Sequence, residues 1–214
     1  MIKSYNTICG EFSNEIVIEK SRFICYLKGV ESEEEAKEFI SYVKKINSLA
    51  THNCYAYIAD DKGLCMKFSD DGEPQGTAGL PMLEVLKNKN LFKTVAVVTR
   101  YYGGIKLGTG GLSRAYGGSV SQCVGKSNVI NKQISVQCSI VTDYENYSKL
   151  LKLLTCEQVY ISNTSFDDKI TVTLVVKEEF IQKLRQSLLD LYRGKNVLIE
   201  HSVGFFSFGA LCQK

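Results

Sequence analysis

Between Arg100 and Arg114 the chain reads RYYGGIKLGTGGLSR, and this run holds the residue types that can bind an anion. Five of its residues are glycine: Gly103, Gly104, Gly108, Gly110 and Gly111. Glycine lets the backbone take positive φ and come close to a ligand with no side chain in the way. The run follows an apolar β-type stretch, Thr94–Thr99, and leads into a helical pattern from Leu112. A glycine-rich turn that opens a helix aims unpaired N–H groups and the positive end of the helix dipole at one place. Arg100, Lys106 and Arg114 set three cations around that place, with Tyr101 and Thr109 in the same run. The competing reading is that the glycines serve only close strand–helix packing. The common nucleotide loops do not fit. Gly103 and Gly108 have the Walker spacing, but Thr109-Gly110 follows where Lys-Ser/Thr is required, and Ser113 replaces the third glycine of a dinucleotide fingerprint.

A second concentration of reactive types is Ser69-Asp-Asp-Gly-Glu-Pro-Gln-Gly76. Asp70, Asp71 and Glu73 have the chemistry to hold a divalent ion, but the same residues are ordinary turn chemistry, and the turn reading is preferred, so no metal is assigned. Thr77 lies within Gly76–Gly79, a second candidate nest ahead of Pro81. Strand alternation puts His52 on one face with Cys54, which is either a nucleophilic couple or a hydrogen-bonded histidine beside a packed cysteine. The second alternative is preferred, and no catalytic residue is assigned. His52, Asp70, Asp71, Glu73 and Thr77 together form a secondary candidate site. His201, in an apolar terminal strand, reads as structural. Tyr101, Tyr102 and Tyr116 flank the glycine run and have the ring faces to stack bases.

Charge is distributed unevenly. The 214 residues carry a net charge of +3, yet positions 85–142 contain no Asp or Glu and eight Lys or Arg. A basic block beside an anion turn points to phosphate-bearing partners, RNA first among them. The sequence begins without an apolar stretch of signal-peptide length, and no run approaches a membrane span. The expectation is a cytoplasmic protein with no membrane partner and no cofactor. Eight cysteines include no C-x-x-C pair, which indicates neither zinc nor a redox motif, and most read as small core residues.

The elements that must position these residues fall into two groups. Alternating polar and apolar residues predict strands over 15–20 and 21–27. Ser32–Glu35 is a capping box, followed by a helical stripe of Ala36, Phe39, Ile40, Val43 and Ile46. Strands are predicted over 53–59 and 64–69, a helix around Pro81, the strand over 94–100, and a helix after Gly111. A connector is expected over 126–132. Beyond it the pattern predicts strand 133–142, helix 144–155, strand 157–164, a turn at 167–169, strand 170–176, helix 178–192 and strand 196–203. That order is βαββαβ, the ferredoxin-like arrangement. The fold class is therefore α+β, with one domain over 1–130 and a ferredoxin-like one over 133–214.

Three segments, Ala50–Tyr57, Phe68–Gly79 and Val98–Tyr116, resemble the three signature blocks of the IMPACT/YigZ family, and the second domain is similar to the C-terminal domain of its bacterial members. The resemblance implies an N-terminal domain with the fold shared by a small-subunit ribosomal protein and domain IV of elongation factor G, and a C-terminal domain like a ferredoxin-like domain of that factor. It implies a translation-associated binding protein whose partner is RNA or the ribosome, with no DNA specificity. Eukaryotic members restrain a stress kinase that acts on an initiation factor, so a protein–protein regulator is a further reading. The third is a small-molecule enzyme acting on a phosphorylated substrate. Gly108–Ser113 loosely resembles the phosphate loop of galactokinase-type enzymes, which need more chain than this domain has. The family carries no assigned chemistry and hence no catalytic residues.

Overall fold

The computed structural model describes residues 2–208; of the cysteines, Cys212 lies outside them. The chain divides into two compact units, the first running through Ile130 and the second starting at Asn131.

In unit 1, strands β2 (Glu11–Ile18), β3 (Ser21–Gly29), β4 (His52–Ile58), β5 (Met66–Ser69) and β6 (Thr94–Tyr101) form an antiparallel sheet in the order β2-β3-β6-β4-β5. A short β1 (Ser4–Ile8) precedes them and is tied to the loop after the second helix, with Phe92 N donating to Asn6 O at 2.9 Å. Helix α1 (Glu33–Ile46) covers one face of the sheet. Helices α2 (Gly79–Asn88) and α3 (Gly108–Lys126) cover the other.

Period-two alternation explains this layering. In β6, Val95 and Val97 pack toward α1, whereas Ala96 and Val98 pack toward α2 and α3. The strand is central and buried on both faces, so it reads as a continuous apolar run. The same parity carries Arg100 to the α2/α3 face. There it stands in register with Phe23 on β3 and His52 on β4.

Local chemistry sets the element ends. Ser32 Oγ accepts from Glu35 N while Glu35 Oε2 accepts from Glu31 N, which fixes the start of α1. The predicted stripe holds for Ala36, Phe39, Ile40 and Val43. Ile46 departs from it and is 51% exposed in the last turn. Glu19 and Lys20, both at positive φ, make the two-residue turn between β2 and β3. Helix α3 starts at Gly108 rather than after Gly111, so half of the glycine run is helix. The expected connector over 126–132 shrinks to Ser127-Asn128, because β7 already begins at Val129.

Unit 2 contains β7 (Val129–Thr142) from Asn131 onward, α4 (Tyr144–Leu154), β8 (Val159–Phe166), β9 (Ile170–Lys177), a 3-10 turn (Glu178–Phe180), α5 (Ile181–Leu191) and β10 (Leu198–Phe206). Within the unit the strands lie in the order β10-β7-β9-β8, all antiparallel. Val136, Cys138 and Ile140 of β7 pack with Leu150 and Leu154 of α4 and Leu184 and Leu188 of α5. His201 Nε2 meets Ser139 Oγ at 2.9 Å, a structural contact. Among the described residues no helix is long and apolar enough to cross a membrane.

Candidate anion-binding site

The glycine run bends away from β6 because its residues are held there individually. Gly103 lies so close to the β2–β3 turn that a Cβ would stand 2.1 Å from the Lys20 carbonyl carbon. Its N–H donates to Ser21 Oγ at 3.1 Å, and Tyr102 N donates to Thr51 Oγ1 at 3.1 Å. Gly104 and Gly108 take φ of +84° and +68°, the left-handed region glycine favours. Gly110 has neither reason: its φ is not positive, and a Cβ there would meet nothing within 4 Å.

The chain then enters α3 with its first turn bare. No side chain caps the helix and no acidic residue occupies its first turn. The leading N–H groups of a helix have no intrahelical partner, and the macrodipole adds partial positive charge there. Lys106 and Thr109 are exposed beside this end. Lys106, Gly108 and Thr109 line a cavity of about 360 Å³ together with Glu73, Pro74, Arg100, Tyr102, Leu107 and Leu112. Arg114 is exposed one turn along α3, where its Nε donates to Gly110 O at 3.2 Å. It lines a separate concavity, which Lys106 and Gly111 share.

Arg100 is not one of three free cations. It is 5% exposed, and its Nη1 donates to Glu73 Oε1 at 2.7 Å. Its Nη2 donates to Ser21 Oγ at 3.3 Å, and the guanidinium lies between the rings of Phe23 and Tyr102. Burial of this kind requires a counter-charge, and Glu73 supplies it. Tyr116, fully buried in the α3 stripe, donates its hydroxyl to the same Oε1 at 2.7 Å. Tyr116 is therefore closed to base stacking. Tyr101 points to the other sheet face, its hydroxyl donating to Asn47 Oδ1 at 3.1 Å. Of the three tyrosines, Tyr102 alone is exposed, at 45%.

The basic block also divides. Lys93 pairs with Glu31 at 2.6 Å and Lys126 donates to Asn14 Oδ1 at 2.7 Å. Lys106 and Arg114 have no acidic partner among the described residues, so they carry the positive charge at the start of α3.

The secondary set assembles, but its carboxylates diverge. Asp70 accepts from the backbone N–H groups of Gly76, Ala78 and Gly79 at 2.8–3.0 Å, capping α2 from a distance. Asp71 takes Lys44 Nζ on one oxygen and Asn53 N on the other, at 2.6 and 2.7 Å. Glu73 faces Arg100. Thr77 Oγ1 donates to Pro74 O at 2.6 Å and closes the turn. His52 Nδ1 lies 2.9 Å from Asp71 O. A carbonyl oxygen only accepts, so Nδ1 carries the proton, leaving Nε2 3.9 Å from Glu73 Oε1. Cys54 donates its thiol to Asp70 O instead of meeting His52. Burial, the largest influence, pushes that thiol up to about 12, so no thiolate nucleophile forms at neutral pH.

Tyr116, Ser21 and Lys44 are the members of this network that sequence reasoning misses as partners. Tyr116 belongs to the buried α3 stripe of Leu112, Ala115, Ser119 and Val120, a helical periodicity that marks it as internal. Cys25, Cys54, Cys123 and Cys138 are buried free thiols, matching the core reading, whereas Cys9 is disulfide-bonded and departs from it.

The molecule is thus an α+β protein of two units with an open glycine-rich helix start on the first. Residues 19–124 match the Impact N-terminal domain, and residues 140–195 match a domain of unknown function (DUF1949). The chain is 42% identical to the IMPACT family member YvyE of Bacillus subtilis, over 94% of this chain and 92% of that protein. It is 35% identical to the IMPACT family member YigZ of Escherichia coli, over 85% and 90%. A solved crystal structure titled as a hypothetical protein shares 32% identity with a TM-score of 0.60, covering 94% of this chain and 99% of the other. The chain belongs to the IMPACT family. Human Protein IMPACT matches it at 35% identity over 42% of this chain and 29% of its own length.

Proposed function

We propose that this protein is a translation-associated binding module that grips phosphate groups of RNA or of the ribosome at the start of α3. The observation that carries this reading is the bare first turn of that helix, Gly108–Gly111, with Lys106 beside it and no capping side chain or acid. Such an end favours anions by both its free N–H donors and its dipole. Gly110 supports it further, since among the described residues neither a positive φ nor a close neighbour requires a glycine there. Family membership, with Protein IMPACT among the relatives, supports the translation setting. We read unit 1 as the fold shared with a small-subunit ribosomal protein and elongation factor G domain IV. Unit 2, with its βαββαβ order and β10-β7-β9-β8 sheet, we read as ferredoxin-like.

An enzyme acting on a phosphorylated substrate would need a proton carrier, His52 or an acid of the Asp70–Glu73 turn, and His52, Asp70, Asp71 and Glu73 are each held by hydrogen bonds within the fold. An NMR titration of ¹⁵N-labelled protein with an RNA hairpin tests the site directly. Amide shifts concentrated at Lys106–Gly111 are expected; shifts confined to other surfaces would refute it.

A further inference from the structure

The cavity beside the start of α3 holds more than an anion site. Glu73 lines it, and its side chain is only 4% exposed. Both hydrogen bonds to that carboxylate, from Arg100 and Tyr116, end on Oε1. Oε2 has no hydrogen-bond partner among the described residues. That oxygen is not sealed in the core: it is open toward the cavity, where a ligand's hydroxyl or amino group can reach it as a charged acceptor. Arg100, on the same lining, has a buried Nε with no hydrogen-bond partner among the described residues. These polar groups are independent of the helix end.

The third component is Tyr102. The residue is 45% exposed, and its ring packs on the Arg100 guanidinium, 5.2 Å from the centroid. One concavity thus offers an anion-attracting helix end with Lys106, an open carboxylate acceptor for a hydroxyl or amino donor, and an aromatic face. At about 360 Å³ it falls at the small end of ligand cavities. Phosphate, hydroxyl-bearing sugar and planar base are the three parts of a ribonucleotide. A duplex keeps its base faces covered, whereas a single strand presents them.

Resting on the phosphate reading above, we infer that this cavity takes one ribonucleotide of single-stranded RNA. Its phosphate lies toward Gly108 and Lys106, its base on Tyr102, and its 2′-hydroxyl donates to Glu73 Oε2. The 2′-hydroxyl is the group by which a protein tells RNA from DNA at a given position.

The test uses the full chain and fluorescence anisotropy with three labelled single strands of one sequence: RNA, DNA and 2′-O-methyl RNA. The wild type is expected to bind RNA about tenfold tighter than the other two, the effect of one hydrogen bond to a charged acceptor. Tyr102→Leu, at an exposed position, should weaken RNA binding about tenfold without changing the salt slope. Glu73→Gln, checked for folding by circular dichroism, should shrink the preference for RNA; if it does not fold, Tyr102→Leu decides. Equal affinity for RNA and DNA, or an unaltered Tyr102→Leu, would overturn the ribonucleotide assignment and leave the phosphate reading intact. No binding of any strand at low salt would overturn both.

Discussion

Arg100 and Glu73 form a buried ion pair, Nη1 to Oε1 at 2.7 Å, with side chains 6% and 4% exposed. A motif that reads as three cations around a turn therefore contains one cation neutralised inside the fold and two, Lys106 and Arg114, outside it. Removing one partner of a buried pair leaves the other charge uncompensated, at a cost of about 3–5 kcal/mol. Glu73→Ala should lose stability of that order in urea unfolding, whereas Lys106→Glu should stay close to wild type. Equal stabilities for Glu73→Ala and wild type would contradict the pairing.

The glycines of the run should separate in the same assay. Gly103→Ala drives a Cβ into the Lys20 backbone and should be strongly destabilising. Gly110→Ala meets nothing and should raise stability by up to about 1 kcal/mol, since alanine loses less backbone entropy than glycine in a helix. The same variant tests whether the ligand covers the exposed first turn of α3: if it does, the added methyl group should weaken RNA binding. A stabilised variant with unchanged RNA affinity would place the ligand elsewhere.

Much of this is legible in the sequence, and the exceptions have physical causes. The strand and helix order follows from periodicity, and the capping box of α1 from Ser32 and Glu35. Parity along β6 already sends Arg100 inward with Ala96 and Val98. What hides its burial is the partner, since Glu73 is 27 residues away and no local pattern joins the two. Gly108 looks like loop because glycine is a poor helix former; the run is helical because α3 packs on β3 and β6 through Leu112, Ala115 and Tyr116. Ile46 keeps the stripe's spacing, but the helix ends there and the core does not extend past Val43.

Asp70 is expected to act as a distant cap. Asp70→Ala removes three backbone hydrogen bonds to a charged oxygen pair and should cost about 3 kcal/mol. The three carboxylates of that turn face different partners, so Mg²⁺ should leave the wild-type melting temperature unchanged. A metal-dependent rise that disappears in Asp70→Asn would reverse this assignment.

Alkaline pH should expose the buried thiol. The folded state raises Cys54 from 9.0 to about 12, chiefly by burial. A raised folded value favours the protonated form, so the associated stability is complete below about pH 9 and is lost as pH rises toward 12. Melting temperatures should fall across that window, less steeply in Cys54→Ala. Mass-spectrometric alkylation at pH 8 should label Cys54 only after denaturant is added; labelling at the rate of a free thiol in the folded protein would contradict its burial.

Phosphate recognition at the start of α3 should be visible in the salt dependence of RNA binding. Anisotropy titrations of an RNA hairpin across a salt series, with wild type and Lys106→Glu/Arg114→Glu side by side, give the slope of log affinity against log salt. Wild-type binding should weaken with salt, and the double variant's slope should be smaller by about 1 for each phosphate it no longer neutralises. An identical slope and affinity in the two proteins would contradict phosphate recognition at this helix start.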